Sequence, residues 1–373
     1  MKIAFYCPNK PLAHPHPSGD LIIAQGISRE LNRAGHTCKE IAAFRSRWFW
    51  KTSRGWREAL IALRAAYRAA HDFHPHIWLT YHSYYKSPDV LGPAISRLMG
   101  IPYVLFQPMY ATKWRKDPET RIGFYLNRLA IKASHHAFTN NLNDLEALGR
   151  ILPPRRITHL PPGIFPEDFQ HDDEAGKAVR LHYGISPDTP LILTAARFRN
   201  DVKFESLVYL FKSLALLGRF RKDFVCLVAG DGPMEEALRR MADALLPGRV
   251  IFAGRIPRHE LFRFYSAADL FVFPGIGESL GMVFLEAQAC ALPVVALKTG
   301  GIAQVVKQNR TGILVPEDGG EAMARTIDQL LRDPEHLKAL AANGPRFIRN
   351  ERNLRWNYLE LARQLEKIRT IAL

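Results

Sequence analysis

The sequence predicts an α/β protein made of two Rossmann-like, doubly wound domains. Short apolar runs alternate with longer amphipathic stretches from the first residue, which is the pattern of parallel β-α-β units. The alternation stops in the proline-rich, locally acidic stretch 161–190 and then begins again. A length of 373 residues also suits two domains better than one. Because ligands bind at the carboxyl ends of the strands in such sheets, we expect the domains to face each other across a shared cleft.

The first domain is predicted to span residues 1–165. Its apolar runs have the length of strands, and the stretches between them have the apolar spacing of helices. The strand candidates are 2–7, 76–81, 103–107 and 136–140, and the helix candidates are 21–34, 56–72, 88–99 and 119–133. The final stretch, 352–373, also has helical spacing, and we expect it to join the first domain.

The second domain is predicted to span residues 166–351. It begins with a linker and a short helix and then repeats the β-α alternation. The strand candidates are 191–197, 224–230, 249–254, 270–275 and 293–298, and the helix candidates are 203–218, 234–246, 258–268, 281–291 and 319–332.

Composition predicts a soluble, globular protein that remains in the cytoplasm. With 47% hydrophobic and 23% charged residues, the chain does not have the composition of a disordered protein. No apolar run reaches the roughly 18 to 20 residues of a membrane-spanning helix, and residues 1–7 lead into Pro8 and not into a signal sequence. The cysteines lie far apart without a CxxC pair, so we expect them to be reduced core residues; they are Cys7, Cys38, Cys226 and Cys290.

Basic residues are concentrated in the first half of the chain. The net charge is +15, and residues 1–165 hold 23 basic and 10 acidic residues, a net charge of +13. Such an excess favours a polyanionic partner: nucleic acid, anionic lipid headgroups or a phosphorylated substrate. We expect no nucleic acid, because the basic residues form no recognisable RNA- or DNA-binding motif.

The segment 44–68 suggests where this charge acts. It holds seven basic residues and one acidic residue, interleaved with Phe44, Trp48, Phe49, Trp50 and Trp56. Tryptophan favours the membrane interface and cations favour anionic headgroups. The segment therefore predicts peripheral contact with an anionic membrane surface at the inner face, with Trp48 and Trp50 among the contacting residues. An alternative is that these residues line an acceptor pocket.

The segment 274–301 carries the densest chemical signal. A glycine-rich loop follows a strand and opens a helix, so the backbone N–H groups of residues 281–284, which include Gly281, Met282 and Val283, would point at an anion. Glu278 lies in the loop and Glu286 lies on the helix. On physical grounds alone, a strand-to-helix turn with a solvent-facing glutamate is also open.

Glu278 and Glu286 stand in the E-x7-E spacing, and in this the chain resembles the family 4 retaining glycosyltransferases of the GT-B fold. Further stretches follow the order of that family's motifs; they are VAGDGPMEEAL (228–238), VIFAGRIP (250–257), the donor-binding core 265–301 and TGILVPEDG (311–319). The resemblance covers residues 191–332 strongly and the first domain in outline. It implies transfer of a sugar from a nucleotide-diphosphate sugar, with retention of anomeric configuration.

The resemblance also implies residue roles in the donor site. Glu286 would hold the ribose hydroxyls, and Glu278 would lie near the sugar hydroxyls. Leu280 and the backbone around Arg255 and Ile256 would line the base.

In the same family an arginine and a lysine bind the diphosphate, and they correspond here to Arg197 and Lys203. Two cations would offset the charge that grows on the leaving group. With Glu278, these two are the predicted catalytic residues.

The first domain offers weaker candidates. Ser18 and Gly19 precede a helix, where the family uses a small-residue loop to bring backbone N–H groups against the diphosphate. His82 and Gln107 follow two predicted strands and are the acceptor-side candidates. A turn at Gly19 and a core or turn role for His82 are the alternatives.

Neither a cofactor nor a metal is expected. The GDG at 230–232 lacks the third glycine of a dinucleotide fingerprint, and the chain has no D-x-D triplet at a strand end. Arginine and lysine can supply the charge neutralisation of a divalent ion.

We therefore predict a glycosyltransferase that uses a nucleotide sugar and an acceptor that is lipid-linked or a cell-envelope glycan. A sugar-nucleotide epimerase or phosphorylase of the same fold and a basic nucleic-acid-binding protein are the alternatives.

Overall fold

A computed structural model describes residues 1–15 and 19–371 and divides the chain into two compact units. Unit 1 comprises residues 1–161 together with the C-terminal segment from Arg355, and unit 2 comprises Pro162–Leu354.

Unit 1 is a parallel α/β unit. Its elements are β1 (Lys2–Tyr6), α1 (Gly19–Arg33), β2 (Thr37–Ala42), α2 (Ser53–Phe73), β3 (Ile77–Tyr81), α3 (Gly92–Met99), β4 (Tyr103–Phe106), α4 (Pro118–Ala133), β5 (His136–Thr139), α5 (Leu142–Gly149) and β6 (Ile157–His159). The strand order is β2-β1-β3-β4-β5-β6, and all pairs are parallel.

The crossover rule places α1 on one face of this sheet and α2 to α5 on the other, because the chain reverses direction at β2. One apolar cluster joins this second helix layer to the sheet, with Ala66 and Ala70 from α2, Ile95 from α3 and Phe124 and Ile131 from α4.

Unit 2 repeats this architecture. Its elements are α6 (Asp173–His182), β7 (Leu191–Ala195), α7 (Val202–Leu217), β8 (Val225–Ala229), α8 (Glu235–Leu245), β9 (Val250–Gly254), α9 (Leu261–Ala267), β10 (Leu270–Val272), α10 (Met282–Ala289), β11 (Val294–Leu297), α11 (Ile302–Val305), β12 (Gly312–Val315), α12 (Glu321–Arg332) and α13 (Pro334–Glu351). The strand order is β12-β11-β10-β7-β8-β9. Because the order reverses between β7 and β10, the topological switch point of this sheet lies there.

The last helix, α14 (Leu354–Ile371), belongs almost entirely to unit 1. Its Tyr358 is buried, and the phenol donates a hydrogen bond to the carbonyl of Ile23 on α1 at 3.4 Å. The helix therefore covers the α1 side of the unit 1 sheet.

The four cysteines are all buried and free, as predicted. No helix within 1–15 and 19–371 has the length and apolar character needed to cross a membrane.

The aromatic segment before α2 contradicts part of the membrane prediction. Trp50 is 6% exposed and Phe49 is also buried, and with Ala59 they form a small apolar cluster. Trp48 is half-buried against Trp50, with ring centroids 5.3 Å apart. Phe49 and Trp50 lie in a short 3₁₀ turn, Phe49–Lys51, and the Trp50 ring packs directly against Gly123 of α4. Trp50 therefore cannot contact a membrane in the folded protein, and Trp48 is poorly placed to do so.

Candidate active site

Loops from three neighbouring strands of unit 2 carry the predicted diphosphate and sugar residues. The loop after β7 holds Arg197, the loop after β8 holds the GDG turn, and the loop after β10 holds Glu278. Since the carboxyl ends of parallel strands share one edge, these loops meet at the switch point between β7 and β10.

Lys203 and Glu278 form an ion pair at this edge. Lys203 is the second residue of α7, where Asp201 caps the helix by accepting a hydrogen bond from the Lys203 N–H at 2.9 Å. The Lys203 ammonium also lies 5.0 Å from the centre of the Phe273 ring. Both charged groups are largely buried, so the pair holds a cation and a carboxylate in fixed positions beside the strand ends.

Arg197 lies beside the GDG turn. Its Nε is 3.3 Å from Asp231 Oδ1, and its side chain is largely exposed. Gly230 and Gly232 both adopt φ of +150°, and a Cβ on Gly230 would overlap the carbonyl oxygen of Ala196. The turn therefore packs directly on the loop that carries Arg197, and only glycine permits this close approach.

The loop that carries Glu278 is fixed by its backbone. The Ile276 N–H donates to Ser206 Oγ on α7 at 3.0 Å, and the Gly301 N–H donates to the Glu278 carbonyl at 3.2 Å. A Cβ on Gly301 would overlap the carbonyl oxygen of Ser279. The predicted glycine-rich loop is thus a tightly packed turn in which Glu278 has a defined place.

Helix α10 opens directly after this loop. Gly281 is its N-cap with φ of +71° and provides no side-chain cap, and Met282 and Val283 are half-buried. The Phe284 N–H donates to the Gly281 carbonyl at 3.0 Å, so the expectation of free N–H groups through residue 284 is wrong for this last one. The N–H groups of Met282 and Val283 belong to the first helical turn and have no intrahelical acceptor.

Glu286 is buried on α10 within a polar cluster that the sequence did not reveal. Arg258 Nε lies 3.2 Å from its Oε1, and the Tyr265 hydroxyl donates to its Oε2 at 3.1 Å. Arg258 also pairs with Asp168 at 3.2 Å. Burial raises the pKa of the Glu286 carboxyl, and Arg258 and Tyr265 act to lower that pKa. The reading of a solvent-facing glutamate is therefore wrong for Glu286.

A signal for these partners was present in the sequence. Glu286 lies among the apolar residues Phe284, Leu285 and Ala287, and a carboxylate on a buried helix face needs a cation or hydrogen-bond donors. The sequence could not say which arginine supplies them.

The predicted base-lining residues lie in two loops of unit 2. Arg255 is exposed directly after Gly254, whose φ is +70°, and Ile256 packs against the apolar core of the unit. Leu280 is buried beside Gly281. Their part in base binding remains a prediction.

In unit 1, His82 and Gln107 directly follow β3 and β4. Both adopt left-handed backbone conformations, with φ of 60° and 55°, and both are buried. Gln107 Oε1 accepts a hydrogen bond from the Tyr81 hydroxyl at 3.3 Å. Within the described residues, His82 Nδ1 is buried without a hydrogen-bond partner. Strained non-glycine residues and unsatisfied buried atoms are typical of functional sites.

The remaining candidates of unit 1 give little support for a site. Gly19 begins α1, is exposed, and a Cβ there would meet no atom within 4 Å. Its place in the fold therefore does not require glycine. Ser18 lies outside the described residues. Among the residues that are described, no cluster of three or more His, Cys, Asp or Glu side chains is arranged to hold a metal ion.

Comparison with known proteins identifies the family. Residues 179–347 match the model of glycosyl transferases group 1. The GDP-mannose-dependent alpha-(1-6)-phosphatidylinositol monomannoside mannosyltransferase of Mycolicibacterium smegmatis is 30% identical over 263 residues, which cover 68% of this chain and 67% of that protein. The D-inositol 3-phosphate glycosyltransferase of Frankia alni is 29% identical over 70% of this chain and 67% of its own length.

The fold is shared with solved structures. The sucrose-phosphate synthase of Thermosynechococcus elongatus superposes with a TM-score of 0.76 at 19% identity, covering 99% of both chains. This confirms the predicted GT-B fold of two Rossmann-like domains. The chain therefore belongs to the group 1 glycosyltransferases, which confirms the family predicted from its motifs.

Proposed function

We propose that this protein is a retaining hexosyltransferase that binds a nucleotide-diphosphate sugar on unit 2 and an acceptor on unit 1. The observation that carries the proposal is the ion pair between Lys203 and Glu278, in the loops at the switch point of the unit 2 sheet; Arg197 lies in the loop that leads into the helix of Lys203. This is the place where doubly wound sheets bind nucleotides.

The donor would be bound by both groups of charges. Glu286, held by Arg258 and Tyr265, would accept hydrogen bonds from the ribose hydroxyls. Arg197, Lys203 and the first N–H groups of α10 would contact the diphosphate. Leu280, Ile256 and the backbone of Arg255 would line the base.

The chemistry would depend mainly on stabilising the leaving group. As the bond between the sugar and the diphosphate breaks, negative charge grows on the diphosphate oxygen, and Arg197 and Lys203 would offset it. Glu278, positioned by Lys203, would orient the sugar hydroxyls. No carboxylate nucleophile is required in this scheme, and no metal is assigned to it.

GDP-mannose is the first donor to test, because the M. smegmatis relative is named for it. That relative is also named for a phosphatidylinositol monomannoside acceptor, which supports a lipid-linked acceptor and work at the inner membrane face. His82 and Gln107 would contact the acceptor.

The direct test incubates the full chain with a panel of radiolabelled nucleotide sugars and extracted lipid or glycan acceptors. Transfer of label to an acceptor, with the anomeric configuration of the donor retained in the product, is the expected result. Formation of an isomeric nucleotide sugar without an acceptor would identify an epimerase, and phosphate-dependent release of sugar phosphate would identify a phosphorylase. A thermal shift with an oligonucleotide but with no nucleotide sugar would contradict the proposal.

A further inference from the structure

Helix α2 exposes a row of apolar side chains along its solvent side. Trp56 is 46% exposed and Ile61 is 66% exposed, and Leu60 and Tyr67 are exposed with them. The buried Ala66 and Ala70 lie on another side of the helix and pack in the cluster that includes the sheet, and Ala59 packs with Phe49 and Trp50. Trp56, Leu60 and Tyr67 share one face of this helix, and Ile61 lies beside that face.

Helix α4 repeats the pattern. Ile122, Tyr125 and Leu129 are spaced so that they share one helix face, and Leu129 is 61% exposed. The other side of α4 carries the buried Phe124 and Ile131. Two helices of the same unit thus leave apolar faces uncovered.

Basic residues flank both rows. They are Arg57, Arg64 and Arg68 on α2, and Arg121, Arg128 and Lys132 on α4. None of these six forms an ion pair with any of the described residues, whereas nearby Arg54 is paired with Glu58 at 2.7 Å and Lys51 with Glu119 at 2.9 Å. The apolar rows and these six residues are called the basic apolar surface below.

The buried Trp50 connects the two helices that carry this surface. A Cβ on Gly123 of α4 would overlap the ring of Trp50, so the ring lies directly against that helix. Leu126 of α4 packs on the same cluster of Phe49, Trp50 and Ala59, and Ala59 belongs to α2. The start of α2 and the middle of α4 are thereby fixed on the same face of the sheet.

We propose that the basic apolar surface docks the protein reversibly on an anionic bilayer, a proposal that builds on the lipid-linked acceptor of the proposed function. A helix face that mixes tryptophan, tyrosine and leucine with uncompensated arginine matches helices that lie in the plane of the interface. Apolar side chains enter the acyl boundary while cations remain at the headgroups. Charge complementarity selects a bilayer because six unpaired cations surround the apolar rows and residues 1–165 carry a net charge of +13.

The test is sedimentation of the full chain with phosphatidylcholine vesicles that contain or lack phosphatidylglycerol. We expect binding to the anionic vesicles only, weakened by salt. The triple variant Arg57→Gln, Arg64→Gln, Arg68→Gln should lower the affinity by roughly a hundredfold. The double variant Trp56→Ser, Leu60→Ser should also lower it, and Trp50→Ala should act only through loss of folding, visible in its circular dichroism.

Two matched controls separate this surface from general charge and hydrophobicity. The triple variant Arg240→Gln, Arg325→Gln, Lys338→Gln removes the same charge from exposed positions of unit 2. Trp356→Ser removes a tryptophan that is 64% exposed on α14, the other side of unit 1. Both controls should bind like the unchanged protein.

Equal losses in the two triple variants, or no binding of the unchanged protein to anionic vesicles, would overturn the proposal. Binding of GDP-mannose, measured by thermal shift, should be the same in all surface variants. Vesicle binding without transfer from any nucleotide sugar would refute the proposed function and leave the docking surface standing. Transfer to a water-soluble acceptor without vesicle binding would refute the docking surface and leave the proposed glycosyltransferase function standing.

Discussion

The carboxyl edges of the two sheets hold their polar groups by different means. In unit 2 the groups are charged and paired with one another: Lys203 with Glu278 and Arg258 with Glu286. In unit 1 the candidates are His82 and Gln107, whose positions are set by left-handed backbone. Charged groups that are held in place by ion pairs suit a charged ligand. Polar residues that are held by left-handed backbone suit recognition of a ligand by its shape and hydrogen bonds. The contrast supports the proposal that the charge-dependent chemistry belongs to unit 2.

The largest expected effect follows from removing the cations of unit 2. Lys203→Ala should lower kcat by about 10²–10³, the usual loss when one group that stabilises transition-state charge is deleted. Arg197→Ala should lower kcat less, because its side chain is largely exposed. In both variants the donor Kd should change less than kcat, since the partner charge grows only in the transition state.

Arg199→Ala is the matched control for these variants. Arg199 lies in the same loop, but it pairs with Asp201 at 3.1 Å and has no proposed role. Steady-state kinetics that show undiminished turnover for Lys203→Ala, or equal losses for all three variants, would remove the proposed diphosphate contact.

The next largest effect concerns the affinity for the donor and not turnover. Glu286→Gln should weaken donor binding by about 1 to 3 kcal/mol, the cost of losing a hydrogen bond to a charged group. Its thermal stability should not fall. Burial raises the pKa of Glu286, so the charged form costs stability above that pKa, and the neutral amide removes this cost. Calorimetry of donor binding and of unfolding measures both; a fall in stability with unchanged affinity would show that Glu286 is structural.

A smaller effect is expected when Arg258 is replaced. Arg258 lowers the pKa of Glu286 against the effect of burial, so Arg258→Gln should raise that pKa. Donor affinity falls as the pH drops through this pKa, because the protonated carboxyl is a poorer acceptor for the ribose hydroxyls. The midpoint of the affinity profile should therefore move to higher pH in Arg258→Gln. An unshifted profile with uniformly weaker binding would point to direct contact of Arg258 with the donor instead.

A smaller effect is expected from replacing His82, which follows β3 at the carboxyl edge of the unit 1 sheet. Asparagine tolerates left-handed backbone better than most residues, so His82→Asn should keep the turn after β3 while removing the ring. We expect kcat/KM for the acceptor to fall roughly fivefold to tenfold, about one hydrogen bond, with the donor Kd unchanged. Loss of donor affinity, or no kinetic change, would show that His82 only shapes the turn.

The strands that were not predicted from the sequence share one position in their sheets. The missed strands β2, β6 and β12 all lie at sheet edges. Central strands are buried on both faces and appear as unbroken apolar runs, whereas β2, with the sequence TCKEIA, is interrupted by the charged residues Lys39 and Glu40. Helix α13 was missed because it contains Gly344 and Pro345, which interrupt a helical pattern.

The site was predictable where residues close in sequence carry it. The loop around Glu278 and the GDG turn were found because glycines at fixed spacing mark them. Arg258 and Asp168 were missed because their contacts form only in the folded chain: Arg258 meets Glu286 from 28 residues away, and Asp168 meets Arg258 from 90 residues away. Burial of Trp50 was missed for the same reason: its partner Gly123 is distant in sequence, and composition cannot distinguish an aromatic cluster inside the fold from one on its surface.

The last prediction is that removing divalent metal ions does not change turnover. Sites that bind a diphosphate through a divalent ion place carboxylates toward it, whereas the edge of unit 2 presents Arg197 and Lys203, with Glu278 and Asp231 already engaged by them. A cation added there would compete with two side chains that already supply positive charge. Turnover should therefore be the same with and without excess EDTA, and added magnesium or manganese should not raise it. If chelation abolishes transfer and either ion restores it, the ion pairs of unit 2 must open to admit a metal. The metal ion, and not Arg197 and Lys203 alone, would then neutralise the charge of the diphosphate.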